Sequence, residues 1–123
     1  MKSLIIALFL FSGFGAFAQL SVSPANVNFF QVEAGGFGAS ETVWVRNTSS
    51  EDLRVTVSHT CYSDFDVFDS CFRMMGYGSC TIRVQYRPLR EGYDTCTINI
   101  HARGSRSDFR SIFVSGRAVE RKR

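Results

Sequence analysis

Beyond its first eighteen residues, the 123-residue chain has no apolar run long enough to cross a bilayer, which needs ~20 residues. It has no cysteine before Cys61, so no lipid attachment is expected at an amino-terminal cut site. No Cys-x-x-Cys pair marks a dithiol redox centre, and no Gly-x-Ser-x-Gly turn marks a hydrolase nucleophile. Histidine is scarce: His59 and His101 are the only two, and neither sits in a run of carboxylates or cysteines. A concentrated basic segment is also missing, apart from Arg121 to Arg123 at the end, which reads as a solvated terminus and excludes a nucleic-acid footprint. Metal, redox and hydrolytic chemistry therefore lack their usual residues, and no cofactor is implied.

The opening "MKSLIIALFLFSGFGAFA" combines Lys2, an apolar run from Leu4 to Phe11, and small residues at Ala16 and Ala18. That order of charge, apolar core and cut site reads as a secretory signal peptide over residues 1–18, cleaved after Ala18. Gly13 and Gly15 interrupt a run already too short to span a membrane. The expected product is exported, periplasmic or extracellular, with no membrane insertion after cleavage. It keeps 105 residues, enough for one domain over 19–118 and a basic tail over 119–123.

From Gln19 onward, apolar residues recur at period two, with turn residues between the runs. Val43 and Val45 share one parity; Leu53, Val55 and Val57 share another, which continues to His59 and Cys61. Ile82, Val84 and Tyr86 follow, then Cys96, Ile98 and Ile100, then Ile112 and Val114. With the segments around Val22 to Phe29 and Phe65 to Val67, this predicts an all-β sandwich of about seven strands. Four cysteines in an exported domain point to disulfides, and they allow three pairings. Strand parity turns Cys61 and Cys96 inward on their strands, which favours that pair and leaves Cys71 with Cys80. Closing those loops is worth roughly 3.8 and 2.7 kcal/mol in the chain-entropy account.

The segment from Asn47 to Pro88 resembles the immunoglobulin-like ASH (Hydin-type) domains, including those of bacterial choice-of-anchor surface proteins. The likeness is carried by Asn47 at a strand end, Phe65 and Val67, then Cys71, Met75, Gly78, Ser79 and Cys80, then Thr81, Ile82, Val84, Tyr86 and Pro88. "VSGRA" near the end is similar to the family's last strand. The resemblance implies a PapD-like, seven-stranded sandwich, a Cys71 to Cys80 bridge, and Met75 as the residue that plugs the core. It implies scaffolding, adhesion or chaperone work and argues against catalysis.

Phe72, Met74 and Tyr77 exceed what such a loop needs to plug a core, so they form a candidate contact tip or, alternatively, a cap on the sandwich end. Trp44 falls on the outward parity of its strand and is either covered by a neighbouring segment or a further contact anchor. The "NTS" at Asn47 to Ser49 matches a glycosylation sequon and reads as a turn; "GGFG" at Gly35 to Gly38 reads as a loop. The expected function is a non-enzymatic interaction or structural module of a bacterial envelope with a protein partner. The alternative is a small periplasmic chaperone that offers a strand edge to a client.

Overall fold

A computed structural model of the chain describes residues 19–121; the expected signal peptide and the last two residues of the basic tail lie outside them. Among these described residues nine strands form: β1 (Leu20–Ser23), β2 (Asn26–Glu33), β3 (Ala39–Asn47), β4 (Leu53–His59), β5 (Phe65–Asp69), β6 (Arg73–Met74), β7 (Ser79–Tyr86), β8 (Gly92–Arg103) and β9 (Ser107–Val119). They make two sheets, one ordered β1-β3-β7-β5 and the other β2-β9-β8-β4-β6. The expected count of about seven is exceeded for two local reasons. At Pro24, which has no amide hydrogen for a ladder, the N-terminal segment leaves β3 and continues as β2 alongside β9 in the other sheet. The two-residue β6 is part of the loop between the Cys71 and Cys80 partners.

Period-two alternation places the core where the two sheets face each other. Val43 and Val45 of β3, with Ile82, Val84 and Tyr86 of β7, meet Ile98 and Ile100 of β8 and Ile112 and Val114 of β9, all fully buried. Each such side chain removed from water contributes about 1.5–3 kcal/mol. Tyr86 closes one end of this core, stacked on Phe65 at 4.6 Å and against Phe29 at 5.5 Å. Its hydroxyl donates to Asp94 Oδ2 at 2.8 Å, so the buried ring carries a satisfied polar tip. Gly116 of β9 lies directly against that ring, and a Cβ there would strike it.

Most sheet edges are short or broken, although β6 covers only the start of β4 and leaves residues 56–59 as an open edge. β1 spans four residues and β6 two, while β5 presents Asp66 and Asp69. β2 carries a bulge between Asn28 and Gln31, where Phe30 adopts φ 56° and its amide donates to Asn28 Oδ1 at 2.8 Å. Such features discourage pairing with another strand.

Candidate functional site

Both disulfides continue a strand ladder by two residues. In the β4–β8 ladder His59 faces Ile98, and stepping on in register brings Cys61 opposite Cys96. In the β5–β7 ladder Asp69 faces Ile82, and the same step brings Cys71 opposite Cys80. The pairs have Cα separations of 5.0 and 5.2 Å, within the range a bridge requires, and no cysteine is free. Each bond thus links neighbours within one sheet rather than one sheet to the other.

The two corners share a hydrogen-bond device. Thr60 N donates to Thr97 O, and Thr97 N donates to the Thr60 hydroxyl, both at 3.0 Å. Ser70 N donates to Thr81 O, and Thr81 N donates to the Ser70 hydroxyl, again at 3.0 Å. In each corner a side-chain hydroxyl takes the place of the ladder carbonyl. The next amide turns back as well: Cys61 N donates to His59 Nδ1 and Cys71 N to Asp69 Oδ1, each at 3.0 Å. The sequence signals are "HTC" with "CT" and "DSC" with "CT", which parity reading passed over. His59 is therefore occupied in a turn, and His101 lies on the opposite side of its sheet, edge-on to Phe109 at 6.2 Å. Among the described residues no three His, Cys, Asp or Glu side chains gather as a metal site.

After Cys71 the chain crosses to the β4 edge. Phe72 O accepts from Val55 N at 2.7 Å, and β6 pairs Arg73 with Arg54 and Met74 with Leu53. Facing Leu53 turns Met74 inward, where it is 3% exposed and its Sδ lies 3.6 Å from Cys80 Sγ. The expectation of Met75 as plug is thereby corrected: Met74 fills the core, and Met75, one step further and on the opposite parity, is 69% exposed. Met74 accordingly leaves the candidate tip and Met75 joins it. Phe72 and Tyr77 stand out at 71% and 62% exposure, so they do not cap the core.

Asn47 holds this loop in place. Its side chain is fully buried; Nδ2 donates to Glu51 O at 2.7 Å and Met75 O at 3.0 Å, while Oδ1 accepts from Ser49 N at 3.0 Å and the Ser49 hydroxyl at 2.7 Å. An amide buried and engaged in this way is no glycan acceptor, so the "NTS" is a turn. Further bonds run from Gly76 N to Asp52 Oδ1, Tyr77 N to Ser49 O, and Asn47 N to Gly78 O. Gly76 lies so close to the Ser50 carbonyl that any Cβ would collide with it. Beside the loop, hydrogen bonds from Ser105, then Gln19, and the charge of Arg106 hold the Glu51 carboxyl below its usual range.

Trp44 is not covered by a neighbouring segment. It projects from the outer face of the four-stranded sheet opposite Thr81, 59% exposed. Arg83, two residues further along β7, is paired with exposed Phe68 of β5, and its guanidinium donates to the Ser40 hydroxyl of β3 at 3.5 Å. This patch is separate from the tip. The "GGFG" segment forms the β2–β3 connection, with Phe37 in solvent.

The sandwich, its parity and the bridged loop define an immunoglobulin-like, PapD-like domain. Residues 15–108 match the ASH family, described as "Abnormal spindle-like microcephaly-assoc'd, ASPM-SPD-2-Hydin", and the chain belongs to that family. A search of curated proteins by sequence finds no match. Among solved structures, the ASH/PapD-like domain 7 of human CEP192 is similar with a TM-score of 0.72 at 12% identity, over 85% of this chain and 87% of that one. The Vibrio cholerae VesB protease gives a TM-score of 0.67 at 18% identity, over 80% of this chain but only 32% of that one. The CsuC–CsuE chaperone–tip adhesion subunit complex of Acinetobacter baumannii Csu pili gives 0.63 at 13%, over 82% of this chain and 57% of the matched chain. At these identities the likeness is one of fold.

Proposed function

We propose that the protein is an exported, non-enzymatic interaction module of a bacterial envelope that engages a protein partner through Phe72, Met75 and Tyr77. The observation that carries this reading is a large apolar tip left in solvent on a loop tied by a disulfide and the Asn47 bonds. Because the loop is already ordered, little conformational entropy remains to be lost on binding. Trp44, with Phe68 and Arg83, offers a second contact face, since tryptophan and arginine are prominent in interface energetics. The short or bulged β1, β2 and β6 favour side-chain docking over pairing with a client strand, for which residues 56–59 of β4 offer an open edge, and this ranks the chaperone reading second.

Export is supported by the two disulfides, which persist in oxidising compartments. Cleavage after Ala18 would put the new α-amino group of Gln19 3.1 Å from Asp108 Oδ2, turning an amide hydrogen bond into an ion pair. Sequencing of the exported protein should start at Gln19; a start inside residues 1–18 would remove this part of the reading. For the tip, capture from envelope extract should recover a partner with the wild-type domain. The Phe72→Ser/Met75→Ser/Tyr77→Ser variant should lose it. Undiminished capture by that variant moves the contact elsewhere, with Trp44→Ser as the next variant to compare.

A further inference from the structure

The register of the five-stranded sheet lines up three arginines that lie far apart in sequence. Arg73 of β6 faces Arg54 of β4, which faces Arg103 of β8, on the outward side and exposed. Adjacent strands are about 4.8 Å apart, so the three backbones span only about 10 Å. Like charges directly opposite one another disfavour the ladder, and none of the three has an ion-pair partner among the described residues. Asp52, two residues before Arg54, has its carboxylate engaged by the Gly76 amide. The same face carries exposed Arg117 on β9, and its strands hold a single outward carboxylate, Glu33, which Arg121 approaches at 3.4 Å. Exposed Phe109 and Phe113 lie along β9 between the two ends.

We infer that this outer face of the five-stranded sheet docks on an anionic phospholipid surface. Charge complementarity selects the occupant. A row of three arginines at one end and Arg117 at the other are separated by about 33 Å along β9, at ~3.3 Å per residue, further than one small anion reaches. An extended polypeptide offers a single line of charge, whereas this row runs across the strands and Arg117 lies along them. A bilayer surface supplies phosphates in both directions, and its interface accommodates the aromatic rings that separate the arginines. The inference is independent of the tip, which uses other residues.

The test is sedimentation of the exported, processed protein with vesicles of phosphatidylcholine plus phosphatidylglycerol, against phosphatidylcholine alone. The protein should partition onto the anionic vesicles only, and less so as salt rises. Arg54→Gln/Arg73→Gln/Arg103→Gln should weaken partition roughly a hundredfold, and Arg117→Gln alone about fivefold. The triple variant should melt no lower than wild type, since it removes repulsion across the ladder. Equal binding to both vesicle types, or undiminished binding by the triple variant, overturns the inference. So does binding to soluble poly-L-glutamate without vesicle partition, which would make an acidic protein surface the occupant.

Discussion

The two disulfide corners are built from the same local parts and lead to different ends. At Cys61 the chain passes through Tyr62, Ser63 and Asp64 and re-enters the core at Phe65 in the opposite sheet. At Cys71 it makes a detour through β6 before β7 begins. They also lie at opposite ends of the sandwich: β4 starts beside Met74 and Cys80, and runs away toward Cys61. An identical hydroxyl-for-carbonyl turn thus either closes an end or raises a tip. What separates the outcomes is Asn47, whose amide holds the Met75 carbonyl from inside the core, so that Met74 turns inward while Phe72, Met75 and Tyr77 stand outward. The bridge fixes the base of the loop, and the buried amide fixes its shape.

The largest effect that would test this contrast comes from removing each bridge. Cys61→Ser/Cys96→Ser opens a loop of sequence separation 35 and should cost about 3.8 kcal/mol, and Cys71→Ser/Cys80→Ser, at separation 9, about 2.7 kcal/mol. Urea unfolding of the two variants should keep that order. The reverse order would mean that the tip-end bridge holds more of the fold than its loop length implies.

A smaller effect distinguishes the two ends by pH. At the Cys61 end, burial and then the bond to Asp94 push the Tyr86 phenol well above its usual range. A folded-state pKa raised in this way gives stability that is complete below the unfolded value of about 10 and declines as pH rises beyond it. At the tip end, Glu51 is depressed by its bonds from Ser105, so its contribution is present above the ordinary carboxylate range and fades as pH falls. Tyr86→Phe should flatten the alkaline limb of the stability curve and leave the acid limb unchanged. A curve that keeps its alkaline fall in that variant would assign the limb to another group.

Strand positions were legible because parity is local: Val43 and Val45, or Ile98 and Ile100, announce their shared face within three residues. The cysteine pairing followed from the same parity. The Met74 and Met75 exchange was not legible, because which of two adjacent methionines turns inward depends on β6 meeting Leu53, a contact made across the intervening β5. The Asn47 network was half visible, as a strand-ending asparagine before a turn, while its acceptors at residues 74 and 75 were not. The arginine row was hidden for the same reason, since Arg54, Arg73 and Arg103 become neighbours only through register. Trp44 was placed outward by parity, and only the folded arrangement shows that nothing covers it.

The central claim, that the bridged loop presents its apolar side chains rather than closing the core with them, is tested most directly by one melting comparison. Phe72→Ser/Met75→Ser/Tyr77→Ser should change stability by less than about 1 kcal/mol, a shift within about 4–8 °C for a domain of this size. Met74→Ser, measured alongside, should lower the melting temperature by more than the triple variant does, since it empties a buried site. If instead the triple variant loses several kcal/mol while Met74→Ser is silent, the loop is a cap, and the tip does not exist.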